Sequence, residues 1–354
     1  MNQIDDYLKQ LIGKNGSDLH FIAGQPPRIR VYGELQPLRS NPLEAEEAQE
    51  ALLEIMGAQS RKEFDGHDAA DFAYAVEGVA RFRVNVFRHL GGMGCVMRSI
   101  PSQAKTIKEL RLPPVVTNLC RHTQGMILVT GKTGSGKSTT LAAMIDEINK
   151  TMNGHILTIE DPIEFVHKRR QCLISQRELG VHTPSFADAL HSGLREDPDV
   201  ILVGEMRDLE TISIAVTAAE MGILVMGTLH TNGAGATVDR IVNTFPSDKQ
   251  AHVRTMLSTS LRGVISQQLV PKAGEPGLVA ALEILVNTPA VANNIRQGKL
   301  DQLENTMTGG RKDGMITMDM ALKDLLNKGV ISGQAAYQAA LEKRSFESVK
   351  DQTS

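Results

Sequence analysis

Residues Gly131-Lys132-Thr133-Gly134-Ser135-Gly136-Lys137-Ser138, followed by Thr139, match the G-x4-G-K-[ST] pattern of a phosphate-binding loop. Its glycines let backbone N–H groups turn inward around an anion, and a helix N-terminus adds partial positive charge. Lys137 supplies a point charge for β- and γ-phosphates, and the Ser138 hydroxyl can ligate Mg²⁺. The same glycines could form a strand-to-helix turn with no ligand. An apolar run before them and a helical pattern after them favour the phosphate loop.

Further side chains could complete the chemistry. Glu160, in Glu160-Asp161-Pro162-Ile163-Glu164, is placed to orient or deprotonate an attacking water, or else to cap a helix or form a turn. Asp161, before Pro162, fits the turn better. Glu205 follows the apolar run Val200-Ile201-Leu202-Val203 and Gly204, the strand-then-acid pattern of a second nucleotide motif. Glu where many such proteins have Asp leaves open whether it holds Mg²⁺, acts as base, or does both. His230 ends another apolar run and could donate a ring N–H to a γ-phosphate as a sensor; the alternative is a packed or capped residue. Arg81 and Arg83 alternate with Phe82, Val84 and Val86, which gives a strand one cationic face. That face is either simply solvated or a source of the cations that Lys137 alone does not supply. Arg88 continues past the alternation and can project elsewhere. Arg240 either serves the site or pairs with Asp239 or a neighbour.

The elements that must position these groups follow from periodicity. Met126 to Val129 reads as a buried parallel strand, and Leu141, Met144, Ile145 and Ile148 line one face of the helix after the loop. Strands over 155–159, 200–203 and 223–229 alternate with helical stretches, which predicts a parallel sheet with helices on both faces across 115–288. Thr183-Pro184 is expected to cap one of these helices, carrying Phe186, Ala189, Leu190 and Leu194, and Asp208 the next. Residues 1–100 read as a small α+β domain. It has a strand at 17–21, a second over 28–38 around Gly33, and a helix N-capped by Asn41, with Pro42 at its first position and Gly57 at its end. The proline-rich stretch 101–114 reads as a linker and 289–354 as small helices, one of them starting at Thr317.

Composition excludes some classes. With 41% hydrophobic and 22% charged residues the chain is an ordinary globular one, and at 354 residues more than one domain is expected. A net charge of −3 gives no electrostatic argument for nucleic acid. Cys95, Cys120 and Cys172 are odd in number and widely spaced, which fits a reducing cytoplasm and neither a disulfide framework nor a zinc site. The apolar runs near 222–229 and 277–286 are too short to span a bilayer, so membrane association is expected only through a partner.

Taken in order and spacing, GKTGSGKST (131–139), TIEDPIE (158–164), LREDPDVILVGEMRDLET (194–211) and GTLHTNGA (227–234) resemble the secretion and type IV pilus ATPase family. They look like its Walker A, Asp-box, Walker B and His-box elements. SDLHFIAGQPP (17–27) and RFRVNVFR (81–88) extend the resemblance over nearly the whole chain. Within the family it is similar to the pilus retraction branch. Assembly ATPases usually carry extra N-terminal regions and a four-cysteine zinc module, whereas this chain is expected to begin at the PAS-like domain.

The resemblance implies an N-terminal PAS-like α+β domain, a RecA-like P-loop domain and a small helical C-terminal extension. It implies ATP and Mg²⁺ as ligands, and a homohexamer in which arginines of the 81–88 strand reach a nucleotide held between domains. The implied work is pilus retraction and twitching motility, delivered to an inner-membrane platform protein. A cytoplasmic location peripheral to the inner membrane and no nucleic-acid partner go with it. Type II secretion, an accessory or regulatory pilus ATPase and a DNA-translocating RecA-type ATPase are the alternatives. Two departures stand out. The branch's A-I-R-N-L-I-R-E motif appears as Ala290-Val291-Ala292-Asn293-Asn294-Ile295-Arg296-Gln297, with Ala292 for an arginine and Gln297 for a glutamate, and His191 stands where an arginine is expected.

Overall fold

The computed structural model describes residues 3–31, 33–100 and 104–351. These divide into two compact units, 3–31 and 33–100 with 164–166, and 104–163 with 167–351. Of the expected linker, residues 101–103 lie outside the described residues. From 104 onward the chain joins the second unit, where Ile107 and Leu112 are buried in its core.

The first unit contains α1 (Gln3–Gly13), β1 (Asp18–Ile22), β2 (Arg28–Val31), β3 (Glu34–Pro37), α2 (Ala45–Ile55), α3 (Ala58–His67), β4 (Ala69–Val76), β5 (Ala80–His89) and β6 (Gly92–Ile100). Among the described residues its strands form one antiparallel sheet in the order β3-β2-β1-β6-β5-β4. Leu19, Phe21, Phe82, Val84 and Val86 point to one side and are fully buried against Ile4, Leu8 and Leu52 of the helices. Strand alternation thus does what the sequence predicts for β5.

Three local readings are corrected. The 28–38 stretch is a hairpin of two strands, not one strand, with Gly33 at φ +90° in the turn. Helix α2 begins at Ala45 rather than after Asn41, because Leu43 is drawn into a bridge with Ala23 and is 1% exposed. The backbone is therefore extended until Glu44, whose N–H donates to the Glu47 carboxylate at 3.4 Å. Gly57 opens α3 as its N-cap instead of closing α2 in a left-handed turn.

The second unit contains α4 (Pro114–Leu119), β7 (Gly125–Thr130), α5 (Lys137–Thr151), β8 (His155–Glu160), β9 (Leu173–Glu178), α6 (Phe186–Gly193), β10 (Val200–Val203), α7 (Leu209–Glu220), β11 (Leu224–Leu229), α8 (Ala234–Thr244), α9 (Gln250–Ser260), β12 (Leu261–Pro271), β13 (Leu278–Val286), α10 (Pro289–Gln297), α11 (Leu303–Gly309), α12 (Met318–Asn327) and α13 (Gly333–Ala339). The strand order is β13-β12-β7-β11-β10-β8-β9, parallel throughout except for the β12–β13 pair. Met126, Leu128, Leu157, Ile159, Ile201 and Val203 face one layer of helices, and Ile127, Val129, Ile156, Val200 and Leu202 face the other. Burial on both faces is why these strands read as continuous apolar runs.

Helix α6 starts at Phe186 with Ser185, not Thr183-Pro184, as its N-cap: the Ser185 hydroxyl accepts from the Asp188 N–H at 3.0 Å. Thr183 is occupied by a bridge to Leu179. Ser185→Ala should cost about 1 kcal/mol and lower the melting midpoint of this unit by roughly 2–4 °C, read by thermal unfolding. Among the described residues no helix is long and apolar enough to cross a membrane.

Candidate functional site

The loop between β7 and α5 is shaped by close backbone approach. Gly131 sits at φ +139°, and a Cβ there would lie 2.2 Å from the Gln267 carbonyl oxygen. Gly136, at φ +88°, is the residue from which α5 starts. Only glycine fits both demands at once. The Lys137 ammonium folds back over the loop and donates to the carbonyls of Gly131 (2.9 Å) and Lys132 (3.1 Å). Ser138 and Thr139 stand half-buried in the first turn of α5. The Ser135 hydroxyl is buried with no hydrogen-bond partner among the described residues. An orphaned hydroxyl at a helix N-terminus, beside the Lys137 ammonium, fits a polyphosphate.

The parallel register carries the other candidate groups to the same edge. Thr130 pairs with Leu229, and Val203 pairs with both Gly227 and Ile159. Gly131, His230, Gly204 and Glu160 therefore all follow at the carboxyl ends of neighbouring strands, where ligands bind in open α/β sheets. Gly204 is packed so closely on β8 that a Cβ would lie 3.1 Å from the Glu160 Cα. Its N–H donates to Ile159 (2.7 Å) and its carbonyl accepts from the Thr228 hydroxyl (2.6 Å).

The two acids differ in setting. Glu160 is 8% exposed; its Oε1 accepts from the Thr158 hydroxyl at 2.7 Å and the Gln176 amide at 3.3 Å. Glu205 is more open and lies 3.0 Å from His230 Nε2, while Arg207 forks onto the same carboxylate. His230 and Glu205 are thus directly paired. Sequence reasoning gives no role to Arg207 and Thr158, which lie inside the quoted motifs, or to Gln176, which lies outside them. Arg207 is within the Walker B stretch already singled out, so its spacing of two from Glu205 was an available signal.

The loop after His230 is anchored from β12 and β13. The Ser266 hydroxyl accepts from the Gly233 N–H (2.8 Å), and Thr237 bonds Thr231 (2.8 Å). Glu283 is buried; its two oxygens accept from the N–H groups of Ala234 (2.7 Å) and Met318 (3.2 Å). One carboxylate so caps the N-termini of both α8 and α12. Burial pushes its pKa above the usual carboxylate range, against the downward pull of those two donors. A cavity of about 450 Å³ opens beside the phosphate loop, lined by Lys132, Thr133, Asn232, Gln268, Leu269 and Leu341 among others.

The arginines belong to the first unit. Arg81 and Arg83 share the face of β5 opposite the core, with Arg83 3.9 Å from Asp71. Arg88 is on the other side of the strand, bonded to Asp68 at 2.7 Å, with its guanidinium 5.0 Å from the centre of the Phe64 ring. Arg88 therefore points away from the face that carries Arg81 and Arg83. In the second unit Arg240 is exposed on α8, and Asp239 beside it accepts from Asn243 (2.8 Å). His191 lies 3.7 Å from Glu210. The altered 290–297 motif folds as an ordinary helix: Val291 and Ile295 are buried, Arg296 bonds Ser258 (3.2 Å), and Ala292 and Gln297 disturb neither.

A parallel sheet with a phosphate loop at β7–α5, acids ending β8 and following β10, and a histidine after β11 defines the RecA-like P-loop ATPase class. The chain belongs to the Type II/IV secretion system protein family, whose model matches residues 1–324. It is 51% identical over 94% of its length to the type IV pilus retraction ATPase PilT of Pseudomonas aeruginosa, covering 96% of that protein. It is 50% identical to a twitching motility protein of Neisseria gonorrhoeae, over 92% of this chain and 87% of that one. A crystal structure of the pilus retraction motor PilT with bound ADP superposes with a TM-score of 0.91 at 44% identity, covering 98% of this chain and 99% of the other. The expected family and fold class, an N-terminal α+β domain followed by a RecA-like ATPase domain, are borne out.

Proposed function

We propose that this protein hydrolyses ATP to power disassembly and retraction of a type IV pilus, working as a homohexamer. The observation that carries the reading is the convergence of the Lys137 loop, Glu160 and the Glu205–His230 pair at one sheet edge, in a chain half identical to a retraction ATPase.

In this reading residues 131–139 bind the ATP phosphates, with Lys137 neutralising β/γ charge. Ser138 and Glu205 would hold Mg²⁺, which supplies further positive charge to the phosphates. Glu160, its carboxylate plane set by Thr158 and Gln176, accepts the proton of the attacking water. His230 reports the γ-phosphate by exchanging its Glu205 contact for it. Arg81 and Arg83, acting from a neighbouring subunit, supply the remaining cations. In this reading Arg88, which is bonded to Asp68 and lies over the Phe64 ring, serves the packing of its own unit and not the nucleotide. Force would pass to an inner-membrane platform protein from the cytoplasmic side.

The test is genetic. Delete the gene, reintroduce the wild-type or the Lys137→Ala sequence, and follow fluorescently labelled pili. Retraction restored by the wild type alone is the expected outcome. A wild-type protein that hydrolyses ATP in vitro yet restores no retraction would refute the retraction assignment and point to secretion or an accessory role.

A further inference from the structure

Gln267 is 4% exposed on β12, one residue past the last β12–β7 pair, Ser266 with Thr130. Its carboxamide spans the base of the phosphate loop: Nε2 donates to the Ser135 carbonyl at 2.7 Å, and Oε1 accepts from the Thr140 hydroxyl at 2.8 Å. The orientation of the amide is forced, because a backbone carbonyl can only accept, so the nitrogen must face Ser135. A peptide unit is planar and trans, with its C=O and N–H pointing in opposite directions. Drawing the Ser135 carbonyl inward to Gln267 therefore turns the Gly136 N–H outward, away from β12. The same residue's own carbonyl is the atom that excludes any Cβ at Gly131, and its Nε2 would lie 2.7 Å from a Cβ at Gly136.

We infer that Gln267 is a positioning residue for phosphate recognition, fixing the Ser135–Gly136 peptide, and with it the Gly136 N–H, in the anion-binding orientation before nucleotide arrives. It touches the loop from behind and needs no contact with ligand. The inference rests on the nucleotide-binding reading of the loop.

Gln267→Glu places a carboxylate oxygen against the Ser135 carbonyl, two acceptors facing each other, and Gln267→Met keeps the volume without the hydrogen bonds. Titrating ADP and inorganic pyrophosphate into the purified full-length protein separates positioning from general damage. Gln267→Met should weaken ADP about 10-fold, the worth of one to two hydrogen bonds, and Gln267→Glu more. Pyrophosphate should lose the same factor as ADP, because the defect is confined to the phosphate subsite. The nucleotide-free melting midpoint of Gln267→Met should stay within a few degrees of wild type. Binding of ADP by both variants within about threefold of wild type would overturn the inference. So would a Gln267→Met variant whose affinity falls only together with a collapsed midpoint. Wild-type protein that binds no ADP, or a Lys137→Ala variant that binds it equally well, would instead overturn the nucleotide reading and carry this inference down with it.

Discussion

Lys137→Ala should reduce ATP turnover by the purified protein by about 10²–10³-fold, the scale seen when a preorganised donor to developing charge is removed. The side chain is 9% exposed and is held over the loop by the Gly131 and Lys132 carbonyls, so its position is set before any phosphate binds. Those carbonyls lose their shared donor in the variant. A thermal unfolding curve should accompany the assay to show that the loop, not the fold, has failed. Undiminished turnover with an intact fold would refute the catalytic assignment of the loop.

Glu160→Gln and Glu205→Gln should each depress turnover by about 10²–10⁴-fold, but with different magnesium behaviour. Glu160 is buried and hydrogen-bonded through Thr158 and Gln176, a setting that orients a base. Glu205 is more open and already paired with His230 and Arg207, a setting in which a cation can compete for the carboxylate. Raising Mg²⁺ should recover part of the activity of Glu205→Gln and none of that of Glu160→Gln. Equal recovery of both, or of neither, would reject this division of labour. The experiment is a turnover assay across a Mg²⁺ series.

What could be read from the sequence was whatever is contiguous or periodic. The phosphate loop is eight consecutive residues, and β7, β8, β10 and β11 are buried on both faces, so each announces itself without reference to the rest of the chain. Gln267 could not be found that way. Its partners Thr140 and Ser135 are 127 and 132 residues away, and one glutamine in a strand carries no pattern. Strand β12 was missed for the same reason, since Gly263, Ser266, Gln267 and Gln268 break its apolar run at the positions where it serves the loops. Cap positions failed where a tertiary contact outranked local preference: the Ala23–Leu43 bridge moved the start of α2 from Asn41 to Glu44. The arginine strand was half legible. Alternation placed Arg81 and Arg83 on one face, and parity puts Arg88 on the other, where Asp68 and Phe64 hold it.

Glu283 decides where this protein can be cut. The residues after β13 read, in sequence, as a set of small helices. Yet Met318, Leu322, Ala336 and Phe346 share an apolar cluster with Val270 and Ala281 of the sheet. Ile316 also bonds to Ile284 at the sheet edge. A protein shortened at residue 288 would keep the whole phosphate loop and both acids. It would also keep a buried carboxylate stripped of the Met318 N–H and a bare flank on β12 beside Gln267. Limited proteolysis should accordingly find no stable core ending at β13, and a shortened protein prepared for biochemistry should precipitate or bind nucleotide poorly even with Lys137, Glu160 and Glu205 unchanged.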